Sequence, residues 1–284
     1  QLERAGVLNL DVATVLNVSA DHLDRHGSMP AYHQAKHRIF RGCKKAVINP
    51  DDPLTVPLVD ASTELVSWRM AEPQLGGFGL RVEDGVEYLC RGFDRLLPSA
   101  ELALAGRHNV ANALAAIALG FSAGLPMVSM ATSLRNFGGL PHRCQQLAEI
   151  DGVRYVNDSK GTNVGATMAA LEGLGGDRDV LLIAGGQGKG ADFSQLQGAV
   201  ARHCKLVVLI GEDAPQLQLA LDQHAELASA ATMDEAVALA AARAVPGDCV
   251  LLSPACASFD MFTGFADRGD AFARAVQRVR EGRS

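Results

Sequence analysis

The sequence predicts an α/β protein of two domains, and three observations carry that reading. A chain of 284 residues, 48% hydrophobic and 20% charged, can bury a sizeable core, and its length suits about two domains. From Val180 onward the apolar, strand-length runs DVLLIAGG, KLVVLIG and DCVLLSP alternate with helical patterns over 193–203, 214–224 and 233–244. Such alternation marks a parallel sheet with crossover helices, whose ligands sit beyond the carboxyl ends of the strands. FGGLPHR (137–143) combines two glycines with a proline, a linker that sets the boundary near Gly139 and the domains at 1–139 and 140–284.

The elements follow in order. VATVLNV (12–18) is β-branched and apolar, a buried strand. AYHQAKHRIFRG (31–42) places Ala31, Ala35 and Ile39 near one helix face, with Gly42 ending the helix. KAVIN (45–49) is a second strand, and the NPDDP that follows it is a turn. From Glu64 to Leu104 short alternating segments predict a β-rich region with a hairpin turn at Asp84-Gly85. HNVANALAAIALGFSAGL (108–125) is the clearest helix, stopped by Gly124, and a second covers 127–136. CQQLAEIDGVRYVNDS reads as a hairpin closed by Asp151-Gly152.

A net charge of −6 without a basic run argues against nucleic-acid binding. The six cysteines are scattered, with no metal-site spacing, and are expected to be reduced thiols of a cytoplasmic protein. No apolar stretch reaches 18 residues, so no membrane span is expected. The chain starts with Gln and runs at once into a strand, so it is expected to be a segment of a longer chain.

Four constellations fall where strands end and helices begin. NVSADHLDRH (17–26) holds Asp21, His22, Asp24 and His26, oxygen and imidazole donors for a divalent cation, or equally a capping turn. Lys36 has cationic neighbours His33, His37 and Arg38, which favour a neutral amine able to take up carbon dioxide as a carbamate; a solvated lysine is the plainer alternative, and His33 and His37 could pair on a metal or line a solvated face. In NDSKGTN (157–163) Asp158 and Lys160 project from the loop and could span a nucleotide or Mg2+, or form a surface ion pair. GGQGKGADF (185–193) lets backbone N–H groups approach an anion with Lys189 as counter-charge, or forms a tight turn. It does not fit the G-x-x-x-x-G-K-[ST] phosphate-loop spacing. SPACASFD (253–260) offers the same geometry through Ser258.

Taken in order, NVSADHLDRH, Lys36 in YHQAK, GRHNVANALAA, GLPHR, NDSKGTN, GGQGKGADF, LLSPACASFD and FADRGDAF resemble the Mur ligase family over essentially the whole chain. The resemblance implies a P-loop-NTPase-like central domain with a mostly parallel sheet, lacking its P-loop, and a Rossmann-like C-terminal domain. It implies an ATP-dependent amide ligase of peptidoglycan precursor synthesis, using ATP and Mg2+ to join D-glutamate to UDP-N-acetylmuramoyl-L-alanine through an acyl phosphate, as a monomer. Carried over to this sequence, His22 and Lys36, the latter as a carbamate, are the catalytic and metal-binding residues. Asn109, Asn112, His142, Arg143, Asp158 and Lys160 are implied to contact the nucleotide, and Thr162, Lys189, Ser258 and Phe265 the D-glutamate. The family's P-loop, an acidic Mg2+ ligand and the nucleotide-sugar domain lie upstream, so this chain alone is expected to be inactive. The alternatives are a folylpolyglutamate synthase-like ligase and a non-catalytic amino-acid-binding module.

Overall fold

The computed structural model describes residues 1–104 and 106–282. The chain divides into two compact units: 1–19 with 25–138, and 20–24 with 139–284.

In the first unit a three-stranded parallel sheet has the order β1 (Val12–Thr14), β2 (Lys45–Ile48), β3 (Glu64–Ser67). β1 is shorter than its apolar run, because pairing with β2 ends at Thr14. β3 opens the region read as β-rich and joins β2 in parallel, Ala46 opposite Leu65. The hairpin pattern holds for the antiparallel meander β4 (Phe78–Glu83), β5 (Val86–Arg91) and β6 (Asp94–Pro98). Its first turn puts Asp84 and Gly85 at φ 51° and 78°, the left-handed pair that matches strand twist.

Among the described residues this part of the chain also carries the α-helices α1 (Leu23–His26), α2 (Met29–His37), α3 (Arg107–Ser122) and α4 (Met127–Asn136) in sequence order. α2 starts earlier than its apolar spacing suggested. Ser28 caps it through Ala31 N and Pro30 sits in its first turn, where no N–H is needed. α3 buries Val110, Ala113, Leu114, Ile117 and Ala118 against Val47, Val66, Trp68 and Phe78. These positions recur at three and four residues, one face of a helix.

In the second unit six strands lie in the order β11-β10-β9-β12-β8-β7. They are β7 (Gln145–Ile150), β8 (Val153–Asn157), β9 (Val180–Gly185), β10 (Cys204–Ile210), β11 (Glu226–Ser229) and β12 (Cys249–Leu252). Only β7 runs antiparallel, paired with β8. Along β9, Val180, Leu182 and Ala184 join a core with α5 (Val164–Leu174), α6 (Gln197–His203) and α7 (Ala214–Leu221), whereas Leu181 and Ile183 join α8 (Met233–Arg243) and α9 (Phe265–Gly282). The alternation buries both faces of the sheet, which is why these strands read as unbroken apolar runs.

The order of these strands decides where ligands can sit. The chain builds outward from β9 through β10 to β11, then returns to insert β12 between β9 and β8. That reversal places the carboxyl ends of β8, β12 and β9 side by side, the crevice position of open α/β sheets. Gly185 closes β9 at φ 131°, where a Cβ would lie 1.8 Å from Ile210 O; glycine is required there.

Candidate functional site

The three adjacent strand ends carry NDSKGTN, SPACAS and GGQGKG. Thr162 and Lys189 line one small cavity of the second unit with Asn163, Gly188 and residues 20–23. Lys189 Nζ lies 3.3 Å from Asp21 Oδ1. Asn163 caps α5 by accepting from Ala166 N, and its Nδ2 donates to Asp21 Oδ2 at 3.2 Å. Asp21 thus places one carboxylate opposite the cation that the sequence suggested for an anionic ligand. Ser258 is buried in the SPACAS turn, its carbonyl accepting from Met261 and Phe262 N–H groups.

The residues read as nucleotide contacts in this unit form a second group. Lys160 Nζ lies 4.3 Å from the centroid of the Phe265 ring, a cation–π contact. His142 meets the same ring edge-on at 6.1 Å, and its Nδ1 lies 3.1 Å from Asn157 Nδ2. The backbone N of Lys160 donates to His142 O at 3.0 Å. His142 and Phe265, from opposite ends of the unit's sequence, therefore meet over Lys160. Arg143 is exposed just beyond them.

Asp158 does not project from its loop. It is 7% exposed, and its oxygens accept from Cys144 N at 3.2 Å and Ser253 Oγ at 2.7 Å. Burial raises its carboxyl to about 6 against these hydrogen bonds, and burial beside Asp158 pushes the Cys144 thiol up to about 12. His22, His142, Cys144, Lys189 and Ala255 all have φ between 43° and 62°. Left-handed backbone costs about 1 kcal/mol or more at such residues and is held where loops serve a site.

Three further positions lie in the first unit. Lys36, on α2, has its Nζ 4.9 Å from the Tyr32 ring centroid. His33 and His37 turn their Nε2 atoms to one acceptor, Leu54 O, at 3.0 and 2.8 Å; the pair read as a possible metal site holds a loop carbonyl. Asn109 and Asn112 share a face at the start of α3, Asn112 Nδ2 donating to Asn109 Oδ1 at 3.4 Å. Among the described residues no three His, Cys, Asp or Glu side chains assemble as a metal site. The two proposed Mg2+ ligands fit in part: His22 offers one imidazole nitrogen, and Lys36 becomes a hard oxygen donor only as a carbamate.

Sequence reasoning missed Arg268, Ser159 and Asn157. Arg268 is 1% exposed and reaches Ser159, Gly185, Cys256 and Ala257. Nothing local marks an arginine as buried. The one available signal was its place in FADRGDAF, next to Gly269.

Residues 1–120 match the Mur ligase middle domain, and 142–256 the Mur ligase glutamate ligase domain. A UDP-N-acetylmuramoylalanine–D-glutamate ligase of Pseudomonas fluorescens is 53% identical over 279 residues, 98% of this chain and 62% of that protein. The ligase of the same name from Acinetobacter baylyi is 53% identical over 285 residues, 98% of this chain and 64% of its own length. The chain thus spans less than two thirds of these relatives. Among solved structures, a pseudomurein peptide ligase type C from Methanothermus fervidus superposes with a TM-score of 0.72 at 16% identity, covering 95% of this chain and 64% of that one. MurF ligase from Thermotoga maritima in complex with ADP gives 0.68 at 18%, covering 97% and 63%. With both of its units matched by family domains and with relatives at this identity, the chain belongs to the Mur ligase family.

Proposed function

We propose that this chain is the central and C-terminal part of an ATP-dependent ligase that adds D-glutamate to UDP-N-acetylmuramoyl-L-alanine in cytoplasmic peptidoglycan precursor synthesis. The observation that carries the reading is the adjacency of the β8, β12 and β9 loops, which bear Asp158, Lys160, Thr162, Ser258 and Lys189. The relatives at 53% identity support D-glutamate as the amino acid. A bifunctional folylpolyglutamate synthase/dihydrofolate synthase from Yersinia pestis shares the fold at 19% identity, a likeness of fold alone.

A carboxylate is a poor acyl donor because it would have to expel oxide. In the proposed reaction ATP phosphorylates the terminal carboxylate of the acceptor, and the amine of D-glutamate attacks the acyl phosphate. The tetrahedral intermediate then expels phosphate and leaves the amide. Lys189 pairs with a carboxylate of D-glutamate, exchanging Asp21 for the ligand. Thr162 and Ser258 supply hydroxyls, and Phe265 walls the aliphatic part. His142, Arg143 and Lys160 serve the nucleotide from 140–284, with buried Asp158 holding their loops through Cys144 N and Ser253 Oγ, and Asn109 and Asn112 are the nucleotide contacts of 1–139. Mg2+, held by His22 and a carbamate on Lys36, would neutralise phosphate charge. Acting as a monomer, the complete protein should release phosphate only when ATP, acceptor and D-glutamate are all present. Equal turnover with L-glutamate, or with a folate acceptor, would count against the proposal.

A further inference from the structure

Each segment that carries a residue of the proposed D-glutamate pocket is tied to one buried side chain. Arg268 lies on α9 and is 1% exposed. Its Nε donates to Ser159 Oγ at 3.0 Å and its Nη2 to Ser159 O at 2.9 Å. Its Nη1 faces Cys256 O at 3.1 Å, Ala257 O at 3.3 Å and Gly185 O at 3.5 Å. Gly185 opens the loop of Lys189, Cys256 and Ala257 precede Ser258, and Ser159 sits in the loop of Thr162. Ser159 Oγ passes the contact on by donating to Phe265 O at 2.7 Å.

All these partners are neutral oxygens. Burying a cation among dipoles is costly, and an apolar side chain of similar volume often serves a core better. Burial lowers the guanidinium to about 10, which still leaves it charged at neutral pH. A lysine could keep the charge but not the planar fork that reaches three loops at once.

We propose that Arg268 is a positioning residue of the amino-acid pocket: its fork sets the mutual spacing of Thr162, Lys189, Ser258 and Phe265, and its charge favours entry of a dicarboxylate. The inference rests on the pocket reading above. It calls for steady-state kinetics on the complete protein with D-glutamate and ATP varied separately, alongside thermal unfolding of each variant.

Arg268→Met is expected to raise KM for D-glutamate by about tenfold or more and KM for ATP by less, since the Gly185 and Cys256–Ala257 contacts hold the loops of Lys189 and Ser258. Arg268→Lys should fall between, keeping charge without the fork. Ser159→Ala, which removes the hydroxyl that joins Arg268 Nε to Phe265 O and leaves the other Arg268 contacts in place, should raise the same KM by about threefold. If Arg268→Met does not fold, the other two variants decide. Folded Arg268→Lys and Ser159→Ala with wild-type KM for D-glutamate, or with both KM values raised equally, would overturn the inference. Lys189→Ala separates the two levels. A raised KM there with unaltered Arg268 variants overturns this inference alone, whereas an unaltered KM for Lys189→Ala overturns the pocket reading and this inference with it.

Discussion

Replacing Asp158 by asparagine should make the protein more stable at neutral pH and change how its stability depends on pH. Asp158 is buried, and its carboxyl rises from 3.8 to about 6, chiefly through burial. At ~1.36 kcal/mol per pH unit, ionising it in the folded state costs about 3 kcal/mol relative to the unfolded chain. A raised carboxyl pKa means that the folded state binds the proton more tightly than the unfolded state. The stabilising contribution is therefore complete below about pH 4 and is lost as pH rises to about 6. Asparagine titrates nowhere in that window, can accept from Cys144 N as Asp158 does, and can turn its amide toward Ser253 Oγ, which also contacts Thr167 Oγ1 at 3.2 Å. Scanning calorimetry of both proteins across this range should show the variant gaining on wild type up to about pH 6, by about 3 kcal/mol, and holding that gain above it. A stability difference that stays constant from about pH 4 to pH 8 would refute the reasoning.

Other perturbations reach the remaining parts of the site. Lys189→Ala should raise KM for D-glutamate by about ten- to a hundredfold, because a charge-assisted contact with a substrate carboxylate is lost; initial-rate kinetics of the complete protein check this. Gly269→Ala places a Cβ 2.2 Å from His142 Nδ1, so it should dislodge the imidazole from Asn157, cost about 1–3 kcal/mol in urea unfolding and weaken ATP more than D-glutamate. Intact-mass analysis under carbon dioxide should find Lys36 heavier by one CO2, an adduct absent from Lys36→Arg.

Much of the second unit was legible because burial leaves a plain mark. β9, β10 and β12 are covered on both faces and read as apolar runs, and the hairpin between β7 and β8 is announced by Asp151-Gly152, with φ 50° and 74°. β11 escaped because ELAS is a short strand at the sheet edge with no fully buried residue. α9 escaped because its charged face, including Asp267, Asp270 and Arg274, obscures the apolar line of Phe272, Ala275 and Val276. The insertion of β12 between β9 and β8 follows from the path of the crossover helices, which no local pattern encodes. The candidate site divides the same way. Lys189 and Thr162 announce themselves as polar residues in glycine-bearing loops after strands. The inward turn of Asp158, the engagement of Lys189 by Asp21, and Arg268 under three loops all depend on contacts between residues 83 to 168 positions apart.

The central claim concerns which amino acid the β8, β12 and β9 loops receive, and calorimetric titration of D-glutamate against L-glutamate into the complete protein, with ATP analogue and acceptor present, tests it most directly. Saturable heat with D-glutamate that is lost in Lys189→Ala, and none with L-glutamate, is the expected result. D-glutamate binding that survives Lys189→Ala undiminished would contradict it.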